Sequence, residues 1–120
     1  MADRVLFISW GAPVRGLEER GLEVFNEAIG LDGRMQQEGR IESFDVTLLS
    51  PNSGMAGYIV LRGSAEQLAA VRESEDFQRN LLDAGLIVED LCVVDGYTNE
   101  GIAHQMALYQ EAIAKVPQRA

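Results

Sequence analysis

The chain has 120 residues, 47% of them hydrophobic and 24% charged, the balance of a soluble domain that buries on the order of 65% of its unfolded surface. Nineteen acidic against ten basic residues leave a net charge of −9, with one lysine and scattered arginines, a surface that repels nucleic-acid phosphates and anionic lipid. No apolar run approaches the roughly 18 residues of a membrane span, Met1–Arg4 do not open a signal peptide, and Cys92 has no disulfide partner, so the expectation is one cytoplasmic domain over 1–120.

Arg4–Trp10 is an apolar run of strand type, and almost every side chain in it is apolar. The turn Gly11-Ala12-Pro13-Val14-Arg15-Gly16 follows. Its glycine pair lacks the Lys-Ser/Thr of a phosphate loop, so it reads as a strand-to-helix connection. Leu17, Gly21, Val24, Phe25, Ala28 and Ile29 then recur at helical spacing, and Met35 extends the same face. One helix from about Leu17 to Glu38 is predicted, interrupted in character by Gly30-Leu31-Asp32-Gly33 and stopped by Gly39.

A hairpin is predicted next, with arms Ile41–Leu49 and Met55–Gly63 about a turn at Ser50–Gly54. Strict alternation in the first arm separates Phe44, Val46 and Leu48 from Ser43, Asp45 and Thr47. Matching apolar to apolar across the pair sets Ile59 and Leu61 with the first group, and Tyr58, Val60 and Arg62 with the second. Asp45 and Arg62 then come within reach of a charged pair.

Ser64 is placed to cap a helix over Ala65–Val71, and a second start at Ser74 or Glu75 runs through Phe77, Leu81 and Leu82 to Gly85. Leu86–Asp95 reads as the fourth strand, apolar on both faces, with Cys92 as a small core side chain. In the last helix Ile102, Met106, Tyr109, Ile113 and Val116 form one stripe ahead of Pro117.

The order β-α-β-β-α-β with a tail helix is the ferredoxin-like plan: an α+β fold with a four-stranded antiparallel sheet, helices on one face and nothing on the other. Strands that are apolar on both sides need a cover on the open side, and pairing two open faces in a symmetric dimer supplies it. The plan, the string Gly39-Arg40-Ile41-Glu42-Ser43-Phe44, the split helix around Ser74-Glu75-Asp76-Phe77 and the strand after Ala84-Gly85 resemble the dimeric α+β barrel superfamily. That group includes cofactor-free monooxygenases of the antibiotic-biosynthesis type, EthD-like proteins and muconolactone isomerases, and the chain looks closest to its uncharacterised bacterial members. The resemblance implies a homodimer whose paired sheets form a barrel, often with a small-molecule pocket in each subunit. It carries over no active-site residue.

Candidate chemistry is therefore weighed residue by residue. His104 is the only histidine, which leaves little from which to build a triad, a metal site or a haem site, and no metal or cofactor is expected. His104 falls off the apolar stripe of its helix, so it is either a solvated side chain or an acid/base. Trp10 and Arg15 flank the first turn, a suitable rim for a pocket. Asp45 and Arg62 form either a structural pair at the dimer interface or a polar anchor for a ligand. Tyr58 and Tyr97 can donate phenol hydrogen bonds. The expected ligand-binding set is thus Trp10, Arg15, Asp45, Tyr58, Arg62 and Tyr97, and the catalytic candidates are His104, Arg62 and Tyr58. The expected function is binding of a small apolar or aromatic molecule by a dimer. The alternative is a cofactor-free monooxygenase or isomerase acting on an enolisable or aromatic substrate.

Overall fold

A computed structural model of the chain describes residues 2–119, and its elements follow the predicted order. They are β1 (Arg4–Trp10), α1 (Glu18–Gln37), β2 (Ser43–Leu48), β3 (Gly57–Gly63), α2 (Ala65–Glu73), α3 (Glu75–Gly85), β4 (Cys92–Tyr97) and α4 (Glu100–Ala114). The sheet is antiparallel throughout in the order β2-β3-β1-β4, which is the ferredoxin-like topology. Leu6 lies opposite Leu61, Ile8 opposite Ile59, and Phe44 and Val46 continue the same two rows on β2. These side chains form one face, and α1, α2 and α3 cover it through Leu31, Met35, Leu68, Val71 and Phe77.

Local chemistry sets the element ends. α1 runs unbroken through Gly30 and Gly33 because its buried stripe of Val24, Leu31 and Met35 holds it to the sheet, which outweighs about 1 kcal/mol of propensity lost at each glycine. It stops at Gly39, whose φ of +73° suits glycine; the Gly39 N–H donates to the Gln36 carbonyl and the Arg40 N–H to the Met35 carbonyl. Ser64 caps α2 reciprocally: its hydroxyl accepts from the Gln67 N–H while the Gln67 side chain accepts from the Ser64 N–H. Ser74 divides α2 from α3 in an extended conformation. Arg40 then reaches across to Asp76 with two hydrogen bonds of 2.9 and 3.0 Å, tying the entry of β2 to the start of α3. The guanidinium holds the Asp76 carboxyl well below the usual carboxylate range.

Three expectations are corrected. The fourth strand begins at Cys92, not Leu86. Residues 87–89 instead hydrogen-bond to the first turn: the Gly11 N–H donates to Glu89, Val14 to Ile87, and Glu89 to Ala12. Asp90, at φ 53°, separates this segment from β4, and Ile87, Leu91 and Val93 face the helices while Leu86 is solvent-exposed. Cys92 is likewise exposed rather than core, because it lies opposite Ser9 on the open face of an edge strand. Finally, the apolar stripe of α4 is exposed rather than packed into the core.

Ile102, Met106, Tyr109, Ile113 and Val116 are all exposed. α4 is rooted firmly at its start, where the Asn99 amide donates to the Ala2 carbonyl and Gly101 lies against the Asp3 backbone with no room for a Cβ. Beyond that root it projects from the body. The radius of gyration is accordingly 17.1 Å, against about 14 Å for a compact chain of this length.

Candidate functional site

The sheet separates two surfaces. On the open side lie Val5, Phe7 and Ser9 of β1, Tyr58, Val60 and Arg62 of β3, Ser43, Asp45 and Thr47 of β2, and Cys92 and Val94 of β4. Its middle is apolar: Phe7 sits opposite both Val60 and Val94, and its ring meets Tyr58 edge-on at 5.2 Å between centroids. Asp45 and Arg62 form the predicted ion pair beside it. The anticipated face assignment for β2 and β3 therefore holds, except that Leu48, at the end of β2, is exposed rather than covered by the helices.

On the covered side a partly open cavity of about 80 Å³ lies between the sheet, α1 and α3. Ile8, Ile59 and Trp10 form its floor, Val24, Phe25, Ala28 and Leu31 one wall, and Phe77 and Leu81 the other; Ile87 and Leu91 close the end beside β4. Trp10 leans on Phe25 with 5.8 Å between centroids. The indole also lies over β3, and glycine at position 57 is what allows it. A Cβ there would stand 2.9 Å from the Trp10 ring and 2.7 Å from the Thr47 carbonyl oxygen.

Among these apolar walls stands Asp32, on the sheet side of α1 and only 3% exposed. Its Oδ2 atom has no hydrogen-bond partner among the described residues. Burial disfavours the charged form and pushes the carboxyl up to about 7. A carboxyl in that range can give or take a proton near neutral pH, whereas a wet aspartate is fixed as an acceptor. The cavity-lining amide of Asn80 donates one of its two Nδ2 hydrogens to the Val24 carbonyl at 3.3 Å. Sequence reasoning missed Asp32 although it ran one helix through Gly30–Gly33, because that stretch was weighed only as a locally weakened part of the helix. The available signal was periodic: Asp32 is four residues after Ala28 and seven after Phe25, an acid on an apolar stripe.

The anticipated site residues do not converge on one place. Trp10 lines the cavity. Arg15 is exposed on the turn before α1. Asp45, Tyr58 and Arg62 share the open face, with the sheet between them and the cavity. Tyr97 stands at the far end of β4, its ring 4.7 Å from the Arg4 guanidinium, in a groove that also includes Arg72 and Asp95. His104 is exposed on α4. Among the described residues no group of three or more His, Cys, Asp or Glu is arranged to hold a metal, and no helix is long and apolar enough to cross a membrane.

No family model and no curated protein matches the sequence. Solved structures do match the fold. A dimeric ferredoxin-like protein of unknown function from Bacteroides fragilis superposes with a TM-score of 0.60 at 13% identity, covering 79% of this chain and 96% of its own. A second dimeric ferredoxin-like protein of unknown function, from Jannaschia, gives 0.61 at 13% identity over 79% and 99%. SnoaB, a cofactor-independent oxygenase from Streptomyces nogalater, gives 0.50 at 15% identity over 82% and 93%. These likenesses establish the α+β ferredoxin-like fold, in agreement with the resemblance read from the sequence.

Proposed function

We propose that the protein is a homodimer, paired through the open faces of its sheets, that binds a small apolar or aromatic molecule in the cavity between α1, α3 and the sheet. The carrying observation is that cavity: apolar walls, three aromatic side chains and one buried carboxyl whose Oδ2 has no hydrogen-bond partner among the described residues. Two neighbours of the same fold are described as dimeric, and the apolar centre of the open face and the bare stripe of α4 are surfaces that a second copy would cover. In this reading Asp45, Tyr58 and Arg62 belong to the subunit interface rather than to the ligand. A reducing, cytoplasmic setting suits a lone exposed thiol such as Cys92.

Asp32 also supports a second reading, a cofactor-free enzyme of the oxygenase or isomerase type on an enolisable or aromatic substrate. Such chemistry needs a dry site and a group that exchanges a proton near pH 7. The likeness in fold to a cofactor-independent oxygenase is compatible with it.

Trp10 is the only tryptophan, so its indole N–H gives a single, unambiguous NMR signal from the cavity floor. Titration with toluene is expected to shift that signal saturably, at millimolar or lower concentration. An indole signal that stays still while other resonances move would place the binding surface elsewhere and remove this reading.

A further inference from the structure

We propose that Asp32 is the polar anchor of the cavity and that it selects ligands carrying one hydroxyl group, of the phenol or enol type, over hydrocarbons and amines of the same size. The inference deepens the binding reading above and rests on it.

The choice of ligand class follows from counting donors and acceptors. The cavity lining is apolar apart from Asp32, the partly engaged amide of Asn80 and the Trp10 indole. A buried polar atom left without a partner costs about 1–3 kcal/mol, so Oδ2 of Asp32 is unfavourable in the empty site and becomes favourable once a ligand meets it. A hydroxyl brings one donor and one acceptor, which a single carboxyl satisfies whether or not it carries its proton. An ammonium brings three donors and a full charge. One carboxyl cannot satisfy all three, and the remaining walls offer a cation no further acceptor beyond the Asn80 carbonyl oxygen. A ligand carboxylate would have to share a single proton with Asp32 and bring a full negative charge into an apolar site with no cation among its lining residues to meet it. A hydrocarbon fills the apolar space and leaves Oδ2 orphaned.

Position supports the same assignment. Asp32 lies inside the 20-residue helix, ahead of its last turn, and takes no part in the hydrogen bonds that close the helix at Glu38 and Gly39, so the carboxyl serves no helix terminus. It forms no ion pair among the described residues, although Arg34 lies two residues on and Arg20 is engaged with Glu23, Glu27 and Asp83 on the outer surface. No structural partner accounts for an acid at this place.

The test uses the full-length protein and the Trp10 indole signal, titrated with phenol, toluene and benzylamine in the wild type, Asp32→Asn and Asp32→Leu. In the wild type phenol should bind at least as tightly as toluene, although phenol is the better hydrated of the two, and both should bind more tightly than benzylamine. In Asp32→Leu the phenol-to-toluene affinity ratio should fall by roughly tenfold or more, the effect of losing one charge-assisted hydrogen bond, with Asp32→Asn in between. A ratio that is the same in all three proteins would overturn the anchor while leaving the cavity as the binding site. Benzylamine as the tightest ligand would overturn the hydroxyl class. If none of the probes moves the indole signal in any of the proteins, the cavity reading and the anchor fall together.

Discussion

Replacing Asp32 by asparagine is expected to leave the stability almost unchanged at pH 4 and to raise it by about 3–4 kcal/mol at pH 8. The amide has the shape of the neutral acid and cannot ionise. In the wild type the folded carboxyl holds its proton up to about 7, whereas the unfolded one releases it near its ordinary 3.8. Between those values the folded state carries the extra proton, so the stability of the wild type falls as pH rises. The loss is complete above about 7. At 1.36 kcal/mol per pH interval the gap amounts to about 4 kcal/mol, and Asp32 is buried deeply enough that solvent screening removes little of it. The other acids of this strongly negative chain also make stability depend on pH, so the quantity to measure is the difference between the two proteins. Urea unfolding of both from pH 4 to pH 8 supplies it. A difference that stays constant across that range would mean that Asp32 titrates like a solvated acid. The sign also bears on function: a residue that lowers stability at neutral pH and has no structural partner is the kind of group that a site retains for its chemistry.

If the protein pairs through its open face as proposed, Phe7→Glu is expected to turn the dimer into a monomer without unfolding it. Phe7 stands at the centre of the open face, opposite Val60 on one side and Val94 on the other. In a two-fold pairing of sheets the substitution would bury two like charges near the axis, without partners, on a chain already at −9. A penalty of several kcal/mol weakens association by a hundredfold or more. The monomer itself tolerates the change, since position 7 is on the face away from the helices and the core of Leu6, Ile8, Ile59 and Leu61 is untouched. Sedimentation should give the wild type twice the 13.2 kDa chain mass at micromolar concentration, and the variant the chain mass alone. A monomeric wild type, or a variant that remains dimeric, would show that the open face is not the interface. The projecting stripe of α4 would then be the surface to mutate next.

Much of the fold was legible because its signals are local and mutually consistent. Alternation in Ser43–Leu48 and Gly57–Gly63 assigned the two sheet faces, and the capping pattern at Ser64 and the stop at Gly39 placed helix ends within a residue or two. The misreadings share one cause: a residue whose environment is set by a distant segment. Leu86–Leu91 has strand composition, but the turn at 11–14 captures part of its backbone first, and Asp90 takes a positive φ just ahead of β4. Tyr109 and Ile113 have the spacing of a core stripe, yet the start of α4 is fixed to Asp3 at an angle that carries them off the body. Asp32 was hidden because an acid between glycines reads only as a weakened stretch of helix. Only the packing of α1 against α3 encloses it. The open-face candidates Asp45, Tyr58 and Arg62 were placed correctly on their strands, but their separation from Trp10 by the thickness of the sheet is a property of tertiary structure that no local pattern carries.

The most direct measurement is the carboxyl-carbon chemical shift of Asp32 followed by NMR from pH 3 to pH 9. For a carboxyl buried in an apolar cavity with its Oδ2 unpartnered among the described residues, the expected midpoint is near 7, and it should move when phenol is added. A midpoint close to 4, unaffected by phenol, would show a carboxyl in contact with water and contradict the site on which the functional reading stands.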